Sequence, residues 1–178
     1  MLRFSMDIIH NIKMWGDLLI HIDRLIEANK NNYYKLLTLI GNEENKINEI
    51  TQYLKKRGWQ VFDVEKLVLD LLKDIPQEKR GLRLGDKLDS WVKEQKTKMI
   101  LKNSNILFSP ELEQINPVES FRYALRDFNE AILFLDARYR GENKAVYSTP
   151  DKDDYAEIDL SKVIHYRLTE VITGGNEE

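Results

Sequence analysis

The chain has 178 residues, 27 basic side chains against 30 acidic ones, a formal net charge of -3 and no cysteine. That length suffices for one domain with a full core, and a 42% hydrophobic, 32% charged composition is globular, not disordered. Disulfides and thiolate metal sites are excluded, no apolar run approaches the roughly 18 residues of a membrane span, and a cytoplasmic protein without a membrane partner is expected.

The first segment, 1–32, reads as a long amphipathic helix. Ile8, Ile12, Trp15, Leu19, Ile22 and Ile26 recur at alternating spacings of four and three, which puts them on one stripe. Asp7, Lys13, Asp17 and Asp23 interrupt its apolar character, so it is no signal-peptide core. The stripe suits packing on its own domain, and also docking in a partner's groove. Asn29 to Asn32 then breaks the pattern with turn-forming residues.

An α/β domain is expected over 33–178. Tyr33 to Ile40 is a nearly continuous apolar run, the signature of a buried strand, and Gly41 ends it. Glu43 to Arg57 follows as a helix, with Ile47, Ile50 and Leu54 inward and Gly58 past its end. Trp59 to Val64 is a second strand. Leu67, Val68, Leu71 and Leu72 mark a helix stopped near Pro76, and Leu84 to Val92 is helical again. Met99 to Leu101 starts a third strand, and Ile106 to Phe108 extends its apolar character. Asn116-Pro117-Val118-Glu119 is a helix start, with Asn as cap, Pro at the first turn and Glu at the capping-box position. Phe121, Leu125 and Phe128 give that helix its stripe. Ala131 to Leu135 is a fourth strand and Ala145 to Ser148 a candidate fifth. Ile158 to Leu168 is short irregular structure or a last strand. Strands alternating with helices predict a mostly parallel sheet covered on both faces, preceded by the N-terminal amphipathic helix.

In such a sheet, ligands sit at the carboxyl ends of the strands. The first strand runs into Gly41-Asn42-Glu43-Glu44-Asn45-Lys46-Ile47, where a P-loop would read G-x-x-x-x-G-K-[ST]. Gly41 and Lys46 are kept. The loop is one residue short, Asn45 replaces the second glycine, and Ile47 replaces the magnesium-binding hydroxyl. Glu43 and Glu44 can occupy the free amides of the helix and would repel a triphosphate. The acidic pair of an ATPase belongs after a later strand, but Lys102 and Asn105 stand there. A charged lysine cannot ligate magnesium. No catalytic residue and no metal ligand is therefore assigned.

Other site chemistries find little support in the sequence. His10, His21 and His165 lack metal-ligand spacing and read as surface or satisfied core residues. Asp151, Asp153 and Asp154 form a polar turn without the glycine and distal glutamate of a calcium loop. With a net negative charge, nucleic-acid contact would need a local basic patch. Lys55-Lys56-Arg57 and the Lys93, Lys96, Lys98 group are the candidates, and each also reads as a solvated helix end.

Several ordered features, Tyr33-Tyr34-Lys35-Leu36-Leu37, Gly58-Trp59, Ile75 to Arg80 with Leu82-Arg83-Leu84, Asn103 to Pro110, and Ala137 to Gly141 through Tyr147 and Pro150, carry a resemblance. From about Tyr33 to about Leu160 the chain resembles the BrxF family, small P-loop proteins of BREX phage-defence systems. The resemblance implies an intracellular bacterial protein working beside other defence proteins on invading DNA, with ATP bound. The sequence departs from that pattern at Asn45, Ile47, Lys102 and Asn105, so only Gly41 and Lys46 carry over as nucleotide contacts. The expectation is a degenerate P-loop fold serving as a non-catalytic subunit or scaffold, with no cofactor and no tight binding of magnesium-ATP. A weak ATPase or switch completed by a partner is the alternative, and a DNA-contacting module is a third.

Overall fold

Apolar runs too short for helices pair side by side and form the frame of the molecule. In the computed structural model, residues 19–126 and 129–174 are described. Their elements in chain order are β1 (Ile20–His21), α1 (Ile22–Asn31), β2 (Leu36–Ile40), α2 (Glu44–Lys55), β3 (Gln60–Asp63), α3 (Val64–Leu72), α4 (Arg80–Glu94), β4 (Met99–Lys102), α5 (Pro117–Arg122), β5 (Ala131–Leu135), β6 (Arg138–Gly141), β7 (Lys144–Tyr147), β8 (Ala156–Asp159), β9 (Ile164–Arg167) and β10 (Val171–Ile172). Five strands form one parallel sheet in the order β3-β4-β5-β2-β9. β2, the first of these in sequence, lies between β5 and β9, and β5 separates it from β4.

Period-two alternation sends neighbouring residues of each strand to opposite faces. Leu36 and Ile40 of β2, Met99 and Leu101 of β4, and Ala131, Leu133 and Leu135 of β5 share one core with α3, α4 and α5. Leu37, Leu39, Ile100, Ile132, Phe134, Ile164 and Tyr166 share the other with α1 and α2. The sheet is thus covered on both faces, which is why its central strands β2 and β5 are apolar at every position but Thr38.

Several helix ends follow from local chemistry. α2 ends three residues before Gly58, whose φ of 84° suits glycine, and the Trp59 amide returns to the Leu54 carbonyl at 3.2 Å. Asn116 caps α5 by accepting the Glu119 amide at 3.0 Å, with Pro117 in the first turn. Phe121 and Leu125 are buried beneath that cap, and Phe128 lies outside the described residues.

Elsewhere the structure corrects the expected elements. Ile8, Ile12 and Trp15 lie outside the described residues, but the segment after them is not helical throughout. Leu19 is exposed, and Ile20–His21 is extended and pairs in parallel with Val171–Ile172. The helix starts only at Ile22, where the His21 ring accepts the Asp23 amide at 3.2 Å. Ile22, Leu25 and Ile26 then pack into the core shared with β2 and α2. After β4 the chain does not stay extended. Asn103 takes a left-handed conformation, φ 57° and ψ 49°, and Ser104–Phe108 forms a 3-10 turn. Between β5 and β9 a separate three-stranded antiparallel sheet, β6-β7-β8, is inserted. Its first hairpin turns at Glu142 and Asn143, both with positive φ, as a tight two-residue turn requires.

Candidate functional site

Parallel strands bring their carboxyl ends to one edge, and two clefts open there. One, of about 540 Å³, lies between the end of β2 and the inserted antiparallel sheet, with Glu43, Arg138, Tyr147 and Arg167 in its walls. The other, of about 380 Å³, lies between α2 and the turn after β4, with Glu44, Glu65, Lys102 and Asn105 in its walls. Gly41, Asn42 and Asp136 border both.

Gly41 ends β2 and donates its amide to the Leu135 carbonyl at 3.0 Å. Its φ of 147° and its surroundings both call for glycine. A Cβ there would collide with the Glu43 carboxylate and come 3.0 Å from the Leu168 Cβ. From Gly41 only Asn42 and Glu43 intervene before α2 begins at Glu44. A connection this short cannot wrap a phosphate in successive amides as a glycine-rich loop does.

Glu43 blocks the site in a different way from the one its sequence position suggests. It caps α2 with its backbone, but its side chain makes no capping hydrogen bond. The carboxylate folds back beside Gly41 instead. It therefore places negative charge where a phosphate would approach and leaves the first-turn amides without its help.

Lys46 is the third residue of α2, well inside the first turn. Its ammonium lies 3.5 Å from the Glu49 carboxylate, and Glu49 also accepts the Thr173 hydroxyl at 2.6 Å. Lys46 lines neither cleft. The structure thus puts Gly41 at the strand-end site and turns Lys46 away along the helix.

Lys102 closes β4 and lines the smaller cleft. Asn105 follows in the 3-10 turn and donates to Asp136 at 3.0 Å. The carboxylates of this edge come from neighbouring strands. Asp136 directly follows β5, and Asp63 ends β3 opposite Lys102 in register. Neither follows β4 in sequence, where an acidic pair is expected, and strand order brings both beside the turn after it.

Asp63 already has work in the fold. It accepts the Lys66 amide at 3.1 Å, capping α3, and the Asn103 carboxamide at 2.9 Å. Burial alone would raise its pKa. The Lys66 amide, the Asn103 side chain and the Lys66 charge outweigh that and hold the carboxyl below its ordinary value. A depressed folded pKa means that its stabilisation is complete above the unfolded value of about 4 and fades as pH falls through the folded one. Asp63→Ala is expected to cost about 1 kcal/mol at neutral pH. Urea melts of variant and parent should converge once the pH lies below both values. A gap that persists in acid would show that the carboxylate charge is not what stabilises the cap.

In the larger cleft Tyr147 stacks on Phe108, ring centres 4.0 Å apart and nearly parallel. Burial, with Asp154 and Asp136 nearby, pushes its phenol above the ordinary value, so it stays neutral. Arg138 is tied to the Ser148 carbonyl at 2.8 Å and Arg167 to Glu170 at 3.1 Å. The histidines have structural partners: the His21 ring reaches the Thr173 carbonyl at 3.1 Å, and the buried His165 reaches the Val163 carbonyl at 3.0 Å. His10 lies outside the described residues. No group of three or more histidine, cysteine or acidic side chains is placed to hold a metal ion among the described residues.

Fold and site together define an α/β protein with a five-stranded parallel sheet and a polar double cleft at its carboxyl edge. No family model, no curated protein and no solved structure matches the chain. No helix among the described residues is long and apolar enough to cross a membrane.

Proposed function

We propose that the chain is a non-catalytic, P-loop-like subunit that binds a partner protein through the carboxyl edge of its sheet. The observation that carries this reading is the turn Gly41-Asn42-Glu43, too short to cradle phosphate and covered by its own carboxylate. Magnesium-ATP does not fit the residues present. Lys46 is paired with Glu49, and Lys102 stands where a magnesium-binding carboxylate is needed. The strand order supports the P-loop part of the reading. In a large class of P-loop ATPases one strand is inserted between the strand leading to the phosphate loop and the strand carrying the acidic pair, and β5 occupies that place here. The partner and the setting, other proteins of a phage-defence assembly of the BREX kind, rest on the resemblance in sequence.

Calorimetry of the isolated chain with magnesium-ATP is expected to show no binding up to about millimolar concentration, the regime of roughly -4 kcal/mol. Micromolar affinity would overturn the reading in favour of a nucleotide-driven switch. The complex purified from the host should survive nucleotide depletion and should lose its partner when Glu65 and Asp136 are both changed to Lys. A complex that falls apart without ATP would count equally against a passive scaffold.

A further inference from the structure

The opposite, amino-terminal edge of the sheet carries a second built surface. A cleft of about 480 Å³ opens there between the end of α4 and the turn after α5, with Lys93, Lys96, Tyr123 and Arg126 in its walls. Among the described residues of its walls, three cations face a single carboxylate, Asp89, and Lys93 pairs with that one at 2.5 Å. Lys96 has no ion-pair partner among the described residues. Among the described residues Arg126 hydrogen-bonds through its Nε alone, to the Tyr123 carbonyl at 2.9 Å. In a chain of net charge -3 this is a local reversal of sign.

Aromatic rings border the same cations. Tyr123 is 46% exposed and Tyr33 57% exposed, and Tyr34 joins them edge to face at 5.7 and 4.8 Å. Arg126 lies 5.5 Å from the Tyr123 ring centre. Behind the rings sits Arg122, only 4% exposed. It donates to the Tyr123 hydroxyl at 2.8 Å and lies 4.6 and 5.3 Å from the Tyr123 and Tyr34 ring centres, while its own Nε is buried without a hydrogen bond. A buried, incompletely paired guanidinium is costly. The Asp159 carboxylate and the two ring faces compensate part of that charge, and the bond to the Tyr123 hydroxyl holds a surface tyrosine in a fixed pose.

The geometry points to a binding site for single-stranded nucleic acid on this edge. Unpaired cations beside a fixed, half-exposed ring match a sugar-phosphate backbone carrying unstacked bases, because each base offers a face to the ring and each phosphate a charge to Lys96 or Arg126. The cleft is large enough for one nucleotide unit. Duplex DNA would meet the cations but could not reach the ring with its bases. An acidic peptide would use the charges and leave the ring idle. This site is independent of the partner-binding edge, which lies at the other end of the strands.

Fluorescence anisotropy of the full chain with a labelled oligothymidine about 12 nucleotides long tests the assignment. Micromolar binding at about 50 mM salt is expected, with log affinity falling against log salt at a slope of about -1.5 to -2, as for two or three phosphate contacts. Lys96→Glu, an exposed change that leaves the fold intact, should weaken binding about ten-fold or more. Tyr123→Ala should weaken it by a similar factor for oligothymidine and leave binding of heparin, a polyanion without bases, unchanged. Lys152→Glu, in an exposed turn that lines none of the clefts, should change nothing. The proposal is overturned by an absence of binding, by equal affinity for duplex of the same length, by indifference to Lys96→Glu, or by Lys152→Glu weakening binding as much as Lys96→Glu does.

Discussion

Phe121→Ala is expected to destabilise the protein by about 3–5 kcal/mol. Phe121 is fully buried in the core that β2, β4 and β5 share with α3, α4 and α5. α5 has only six residues, too few to be stable as an isolated helix. Its stability comes from the Asn116 cap and from the burial of Phe121 and Val118. Removing the ring leaves a cavity between rigid strands that cannot collapse around it. The loss should spread, because α5 leads into the Leu125 carbonyl that accepts the Lys35 amide at 2.6 Å, at the start of β2. Against a total stability of about 5–15 kcal/mol for a domain, this is a large fraction. Urea unfolding should show a lower midpoint with an unchanged slope. A shift of less than about 1 kcal/mol would mean that the site collapses freely and that α5 is not part of the framework.

How far the sequence foretold the structure depends on how local each signal is. β2 and β5 announce themselves because a strand buried on both faces must be apolar at every position, and Leu36 to Ile40 and Ala131 to Leu135 nearly are. α2 is readable from Ile47, Ile50 and Leu54 together with Gly58, and α5 from its cap. The inserted sheet is not. Its first hairpin turns on Glu142-Asn143 and not on Asn-Gly, so β6 carries no local signal and only β7 is expected from the sequence. Leu19 and Ile22 continue a helical stripe by spacing alone, and the two-residue strand Ile20–His21 between them, made by pairing with Val171–Ile172, has no period of its own. At the strand-end site, Gly41 is where its motif position puts it. The direction of Lys46 is not legible because the choice between cleft and Glu49 for the third residue of α2 depends on where α2 begins, which is a tertiary matter. Asp63 and Asp136 were hidden for a related reason: strand order, and not sequence order, makes them neighbours of the segment after β4.

The short turn after β2 also makes the proposed loss of nucleotide binding open to local reversal. Glu43-Glu44-Asn45-Lys46-Ile47 would be replaced by a glycine-rich loop, one residue longer and ending in Gly-Lys-Thr. Three things then change together. The carboxylate beside Gly41 is gone, the connection is long enough to curve around a phosphate, and a lysine stands at the end of the loop and is no longer the third residue of α2, paired with Glu49. The amides at the start of α2 have no carboxylate cap to displace, so they are free to meet the anion. Measurable binding of magnesium-ATP is expected, from none at about 1 mM to a dissociation constant of about 100 µM, a gain of at least roughly 1.4 kcal/mol. Hydrolysis should stay absent, because Lys102 keeps its charge where magnesium needs a carboxylate. Adding Lys102→Asp and Asn105→Glu supplies the acidic pair, at the cost of the Asn105 hydrogen bond to Asp136, and slow turnover should follow. Binding and hydrolysis therefore return in that order. Calorimetry reads the first and phosphate release the second, with circular dichroism confirming the fold of each graft. A graft that folds and still binds no nucleotide would mean that the carboxyl edge does not have the shape of a phosphate site. The P-loop reading would then fall, while the parallel sheet and its two clefts would stand.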